Sequence, residues 1–129
     1  MILVDSDVLI AHLREVEAAR DWLVSARRSE GRLSASVVTY VEITGGMRSA
    51  ERAAVERLFE AVDFLDVDRE VAARAGDLQR AHRRSHVGIG IADFLVAATA
   101  QVHELRLATL NVKHFPMFRG LRPPFRLPG

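Results

Sequence analysis

Met1-Ile2-Leu3-Val4-Asp5-Ser6-Asp7-Val8-Leu9-Ile10 opens the chain, and its reading decides the fold. Ile2-Leu3-Val4 is an uninterrupted apolar run, the pattern of a strand covered on both faces in a parallel sheet. Ser6 or Asp7 can cap a short helix running to Leu13. A buried strand that feeds a helix begins a βαβ unit, and the rest of the chain repeats the alternation. Glu17 to Arg28 has helical spacing of Ala18, Trp22, Leu23 and Ala26, with Gly31 as its stop. A short strand is expected over Arg32-Leu33-Ser34-Ala35. Ser36 then caps a helix that Gly45-Gly46 ends. Further helices are expected over 50–62, 69–83 and 91–105, with strands at Phe64-Leu65-Asp66-Val67 and Leu107-Ala108-Thr109-Leu110. The tail holds all four prolines and reads as loop with one edge strand near Phe125-Arg126-Leu127. Strands alternating with helices predict an α/β fold built on a parallel sheet, as one domain over residues 1–129.

Composition narrows the function classes. The chain has 129 residues, 49% apolar and 27% charged, with a formal net charge of +1. No global field therefore points at nucleic acid or membrane. Of the 18 basic residues only Lys113 is lysine; the arginines suit bidentate phosphate contacts but equally reflect genome composition. Absence of cysteine excludes disulfides and thiolate metal sites. Among the five histidines His82 and His86 have HxxxH spacing, but with no cysteine to assist, the pair falls short of a structural zinc motif. The longest apolar stretch, Ile89 to Val102, carries Asp93 and is too short for a membrane span. No secretory signal is expected, because Asp5 and Asp7 interrupt the apolar N-terminus. These features predict a soluble cytoplasmic protein without membrane partners.

Four polar residues stand at strand ends or helix starts: Asp5, Glu42, Asp93 and Asn111. Taken singly each has an inert reading. Asp5 can cap a helix or pair with an arginine, and Glu42 can lie on a solvated helix face. Asp93 can satisfy a helix dipole, which favours an anion there by about 0.3–1 kcal/mol. Asn111 can be a turn residue. Together they imply more, since ligands of open α/β sheets collect at the carboxyl ends of the strands. Carboxylates gathered there repel one another unless a cation joins them. Mg²⁺ or Mn²⁺ fits such a pocket, because hard cations take carboxylate oxygens and leave positions for water and phosphate. Ser6, Asp7 and Thr109 are candidate supporting residues, able to hydrogen-bond the carboxylates or a water, or merely to cap turns.

The motifs Met1 to Ile10, Ser36-Val37-Val38-Thr39-Tyr40-Val41-Glu42-Ile43 with Gly45-Gly46, Ile91 to Ala100, and Ala108-Thr109-Leu110-Asn111 with His114-Phe115 resemble the PIN-domain nucleases. In order, spacing and length they look like VapC toxins of type II toxin–antitoxin pairs. The resemblance implies a three-layer α/β/α sandwich with a central, mostly parallel sheet. It also implies a Mg²⁺- or Mn²⁺-dependent endoribonuclease acting on structured RNA, tRNA or ribosomal RNA. By analogy the family's first three acids fall on Asp5, Glu42 and Asp93, which would hold the metal. The fourth, often Asp, is here Asn111, which brings one negative charge fewer. Water would attack phosphorus in line, leaving 5′-phosphate and 3′-hydroxyl ends. Implied partners are a VapB-type antitoxin whose tail enters the acidic groove and a second copy of the chain, giving a homodimer and, with antitoxin, a heterotetramer or larger assembly. Arg83, Arg84 and Arg122 are candidate RNA contacts; Arg80, His86, Arg119 and Arg126 are further basic residues in the same two segments.

Two other readings compete. A receiver-type signalling domain would use Asp66 or Asp68 as phosphoacceptor with Thr109 and Lys113, leaving Glu42 and Asp93 unexplained. A catalytically silent protein-binding module would explain the asparagine at position 111.

Overall fold

The computed structural model describes residues 1–82 and 88–128. Four strands, β1 (Ile2–Val4), β2 (Leu33–Ser36), β3 (Val62–Leu65) and β4 (Arg106–Ala108), form one sheet in the order β3-β2-β1-β4. Every pairing is parallel. Helices α1 (Ser6–Leu13) and α2 (Glu17–Glu30) join β1 to β2, and α3 (Val37–Gly46) and α4 (Arg52–Glu60) join β2 to β3. Helices α5 (Arg69–His82) and α6 (Ile91–Val102) then carry the chain past β2 and β1 to the far side of the sheet.

The pleat of β1 explains the layering, because successive side chains point to opposite faces. Ile2 and Val4 pack with Val8, Leu9, Ala26 and Val55 beneath α1, α2 and α4. Leu3 points the other way, to Val96, Ala97, Ala100 and Phe115 under α6. On β4, Ala108 and Leu107 divide between the same two clusters. A strand with both faces dry has no room for polar alternation, which is why Ile2-Leu3-Val4 reads as it does. The result is the expected α/β/α sandwich.

Several boundaries differ from expectation. The helix expected over 50–62 begins as a 3₁₀ turn at Ser49–Glu51 and ends at Glu60, because Val62 pairs with Leu33 as the start of β3. That strand consequently lies two residues earlier than its apolar run suggested. Helix α6 stops before Leu105, where Glu104 adopts the left-handed conformation at φ 55°. Asp5, rather than Ser6 or Asp7, caps α1. Among the described residues the tail forms no edge strand. Pro123 and Pro124 lack the ladder's N–H, and Phe125 packs against the β1–α1 core instead.

Strand order places the topological switch between β1 and β4. The β1 chain leaves toward β2, whereas β4 arrives from the opposite side, so a crevice opens at their carboxyl ends. Among the described residues no helix is long and apolar enough to cross a membrane.

Candidate active site

Asp5 sits at that crevice because it is the first residue beyond β1. Its backbone N–H still donates to Ala108 O at 2.9 Å, extending the ladder by one bond. The side chain is only 6% exposed. Its Oδ1 accepts from the Ser6 N–H at 2.8 Å and its Oδ2 from the Thr109 hydroxyl at 2.8 Å. Burial, then the nearby Asp7 charge, pushes the Asp5 carboxyl up from 3.8 to about 7, and Glu42 adds to the effect. The two hydrogen bonds oppose this and lose.

Asp7 does not cap its helix. Its Oδ2 reaches across to the β4 side, accepting from Leu110 N–H at 3.0 Å, and lies 3.2 Å from the Thr109 hydroxyl. One hydroxyl hydrogen thus serves two carboxylates, while Asn111 N–H donates to the same Thr109 oxygen at 3.1 Å. Asp7 Oδ1 is buried and has no hydrogen-bond partner among the described residues. Desolvation raises the Asp7 pKa despite the donors on Oδ2.

Glu42 lies one and a half turns into α3, whose start is fixed by Ser36 Oγ accepting from Val38 N–H at 3.0 Å. Burial is the largest cause raising its pKa, with Asp93 and Asp7 contributing like-charge repulsion and the Ser6 hydroxyl opposing through a hydrogen bond. Ser6 therefore links the first and second acids, through its N–H to one and its hydroxyl to the other. Asp93 occupies the first turn of α6, where its Oδ2 accepts from Gly90 N–H at 3.2 Å. The same oxygen lies 3.0 Å from His114 Nδ1.

Asn111 is brought to the cluster, but its side-chain amide lies 2.9 Å from His114 Nδ1. His114 entered the sequence reading only as part of the family motif and was given no role, since it has no ligand spacing to another histidine. The usable signal was its place three residues after Asn111, because a 3₁₀ turn stacks residues i and i+3. Residues Val112–His114 form that turn, and Phe115, 1% exposed, anchors it in the core.

Other expected positions take different roles. Arg83, Arg84 and His86 lie outside the described residues. Arg122 lines a recess along β4 with Ile2, Trp22, Arg106 and Pro124, none of them an acid of the cluster. Asp68 serves α5 as an N-terminal cap, its Oδ1 accepting from Val71 N–H at 2.9 Å, and it follows an edge strand. The sheet order also differs from the 2-1-3-4-5 order of receiver domains, so the signalling alternative lacks its acceptor.

Asp5, Asp7, Glu42 and Asp93 therefore form a field of mutually repelling carboxylates. Among the described residues no Arg or Lys ion pair reaches any of them. No group of three or more His, Asp or Glu side chains there is arranged to hold a metal ion by itself. Such a donor set does not suit a closed all-protein cage. It fits an ion of the Mg²⁺ type, which takes one or two carboxylates and keeps several waters. The orphaned Asp7 Oδ1 is the buried oxygen that such an ion would satisfy.

Residues 2–116 match the PIN-domain family. This chain belongs to it. The PIN-domain chain is 60% identical over its full length to Ribonuclease VapC10 of Mycobacterium tuberculosis strain H37Rv, covering 96% of that protein. It is 40% identical over 125 residues, 97% of its length, to Ribonuclease VapC19 of the same strain, all of which is covered. Among solved structures it resembles a toxin–antitoxin complex from Klebsiella pneumoniae, with TM-score 0.83, 21% identity and coverage of 98% of this chain and 100% of the other. It also resembles FitAcB from Neisseria gonorrhoeae, with TM-score 0.72, 28% identity and coverage of 89% and 91%. The chain thus has the PIN fold, and in this structure Asp5, Asp7, Glu42 and Asp93 lie about its β1/β4 crevice.

Proposed function

We propose that this PIN domain is an endoribonuclease toxin, dependent on Mg²⁺ or Mn²⁺ and silenced by a cognate antitoxin. The observation that carries the reading is the carboxylate field at the β1/β4 crevice, with Asp5 buried, Asp7 Oδ1 unsatisfied and no Arg or Lys partner among the described residues. Burying like charges together is unfavourable for folding, and a silent binding module has no use for it. The full-length likeness to ribonucleases supports the same reading.

Each residue has a task in this scheme. Asp5, Glu42 and Asp93 hold the cation, directly or through water, and Asp7 offers its free oxygen. Ser6 fixes the spacing of Asp5 and Glu42, and Thr109 that of Asp5 and Asp7. The bound ion supplies positive charge that polarises a phosphoryl oxygen and acidifies water. The negative field itself repels RNA phosphate, so substrate engages only with cation present. Structured RNA, tRNA or ribosomal RNA, is the substrate, with arginines of the surrounding surface meeting the backbone. Partners are a VapB-type antitoxin and a second copy of the chain, in a heterotetramer or larger assembly. The whole chain, residues 1–129, works as one domain in the cytoplasm.

Incubation of the purified protein with tRNA, ribosomal RNA and matched DNA, each with Mn²⁺ or with EDTA, tests the reading. Cleavage of RNA alone, lost with EDTA and in Asp93→Asn, is expected. RNA cleavage that persists in EDTA, or in Asp93→Asn, would overturn it.

A further inference from the structure

Asp93 differs from the other acids in being gripped by an aromatic base. Its Oδ2 receives Gly90 N–H at 3.2 Å and faces His114 Nδ1 at 3.0 Å, so that oxygen is occupied by two protein donors. An ionised carboxylate only accepts, so Nδ1 must carry the hydrogen between them. The Asn111 side-chain nitrogen lies 2.9 Å from the same Nδ1, and with the amide turned so that its oxygen takes that place it accepts from the N–H and completes the arrangement. The backbone that carries the ring is fixed. His114 closes a 3₁₀ turn through its N–H to Asn111 O at 3.0 Å, and Phe115 beside it is buried. Its Nε2 turns elsewhere, to where an ideal Cβ on Gly88 would lie 3.7 Å away. The Asp93 and His114 side chains are both about three-quarters or less covered, at 25% and 31% exposed, so the contact is a built one at the rim of the crevice.

We infer that His114, oriented by Asn111, is a positioning residue that holds Asp93 Oδ2 so that Oδ1 faces the cation. Asn111 then acts through His114 rather than as a ligand. This rests on the metal-site reading above. Carboxylates that bind metal are themselves oriented by hydrogen bonds from outer partners, and loss of such a partner typically lowers affinity 10–100-fold. The same division of labour appears at Asp7, where Oδ2 takes the protein donors and Oδ1 is left over.

Three variants separate the possibilities, because an asparagine side-chain nitrogen replaces Nδ1 whereas a glutamine nitrogen replaces Nε2. Mn²⁺ affinity would be measured by calorimetry for wild type, His114→Ala, His114→Asn, His114→Gln and Asp93→Asn, with thermal melts alongside. RNA cleavage would be resolved into kcat and KM. Expected are a roughly 10-fold or greater loss of Mn²⁺ affinity in His114→Ala and His114→Gln, with most of it restored in His114→Asn. At limiting Mn²⁺, kcat should follow affinity while KM for RNA stays near wild type. Wild-type Mn²⁺ affinity in His114→Ala would overturn the inference, as would rescue by glutamine rather than asparagine. If His114→Ala fails to fold, the asparagine–glutamine contrast still decides. Wild-type affinity in Asp93→Asn would instead sink the metal-site reading; its loss there together with wild-type binding in His114→Ala sinks only the inference.

Discussion

Replacing Asp5 by asparagine should make the metal-free protein more stable while destroying its activity. The Asp5 carboxyl is raised from 3.8 to about 7 by burial and by Asp7. A group whose pKa rises on folding binds its proton more tightly in the native state. Below pH 3.8 both states are protonated and the site costs nothing. Between about pH 4 and 7 the unfolded chain ionises first, so stability falls as pH rises, and above about 7 the penalty is complete. The interval from 3.8 to about 7 corresponds to about 4 kcal/mol at 1.36 kcal/mol per pH decade, an upper bound. Asparagine keeps one acceptor oxygen for Ser6 N–H or Thr109 and forfeits the other, a loss of about 1 kcal/mol. A net gain of about 2–3 kcal/mol at pH 8 therefore remains. Urea unfolding in EDTA at intervals from pH 4 to 8 would follow it. The difference between variant and wild type should grow across that window and then level off. Saturating Mn²⁺ should close the gap, since only wild type gains binding energy. An Asp5→Asn protein less stable than wild type at pH 8, or a difference that ignores pH, would refute the argument.

Related predictions concern the surrounding scaffold. Thr109→Val removes the hydroxyl shared by Asp5 and Asp7 and should cost about 1–3 kcal/mol at neutral pH, read by urea unfolding. Phe115→Ala empties a buried site and should cost about 3–5 kcal/mol, with Mn²⁺ affinity falling in parallel as the turn carrying His114 loosens. Because Asp5 and Glu42 are both raised, protons compete with the cation on the acid side. Cleavage at sub-saturating Mn²⁺ should thus climb between pH 6 and 8, and the midpoint should move to lower pH as Mn²⁺ is increased. A midpoint independent of Mn²⁺ would remove these carboxylates from the titration.

What the sequence made legible follows from how strongly each feature is over-determined. Ile2-Leu3-Val4 has dry neighbours on both faces, so its apolar run admits few other readings. Asp5, Glu42 and Asp93 stood out because acids beside such runs have no packing reason to be there. Val62 was misassigned because it continues the helical spacing of Val55 and Phe59; pairing with Leu33 claims it for β3. The tail's Phe125 looked like part of a strand, yet its burial comes from docking on the core without a ladder. The role of His114 was illegible for a different reason. Its partner Asp93 lies 21 positions away and on another element, and only the fold makes them neighbours. The double role of Asp5, helix cap and buried acid, likewise needed coordinates, since each role alone accounts for an aspartate at that position.

Crystals of the metal-free protein soaked in Mn²⁺ offer the most direct measurement, because anomalous scattering locates the ion without reference to activity. A peak in the β1/β4 crevice, within ligand distance of Asp5 or Asp93 and facing Asp7 Oδ1, is predicted, together with its loss in Asp93→Asn crystals. Saturating Mn²⁺ that leaves the crevice without a peak, or that binds only elsewhere on the surface, would contradict the account.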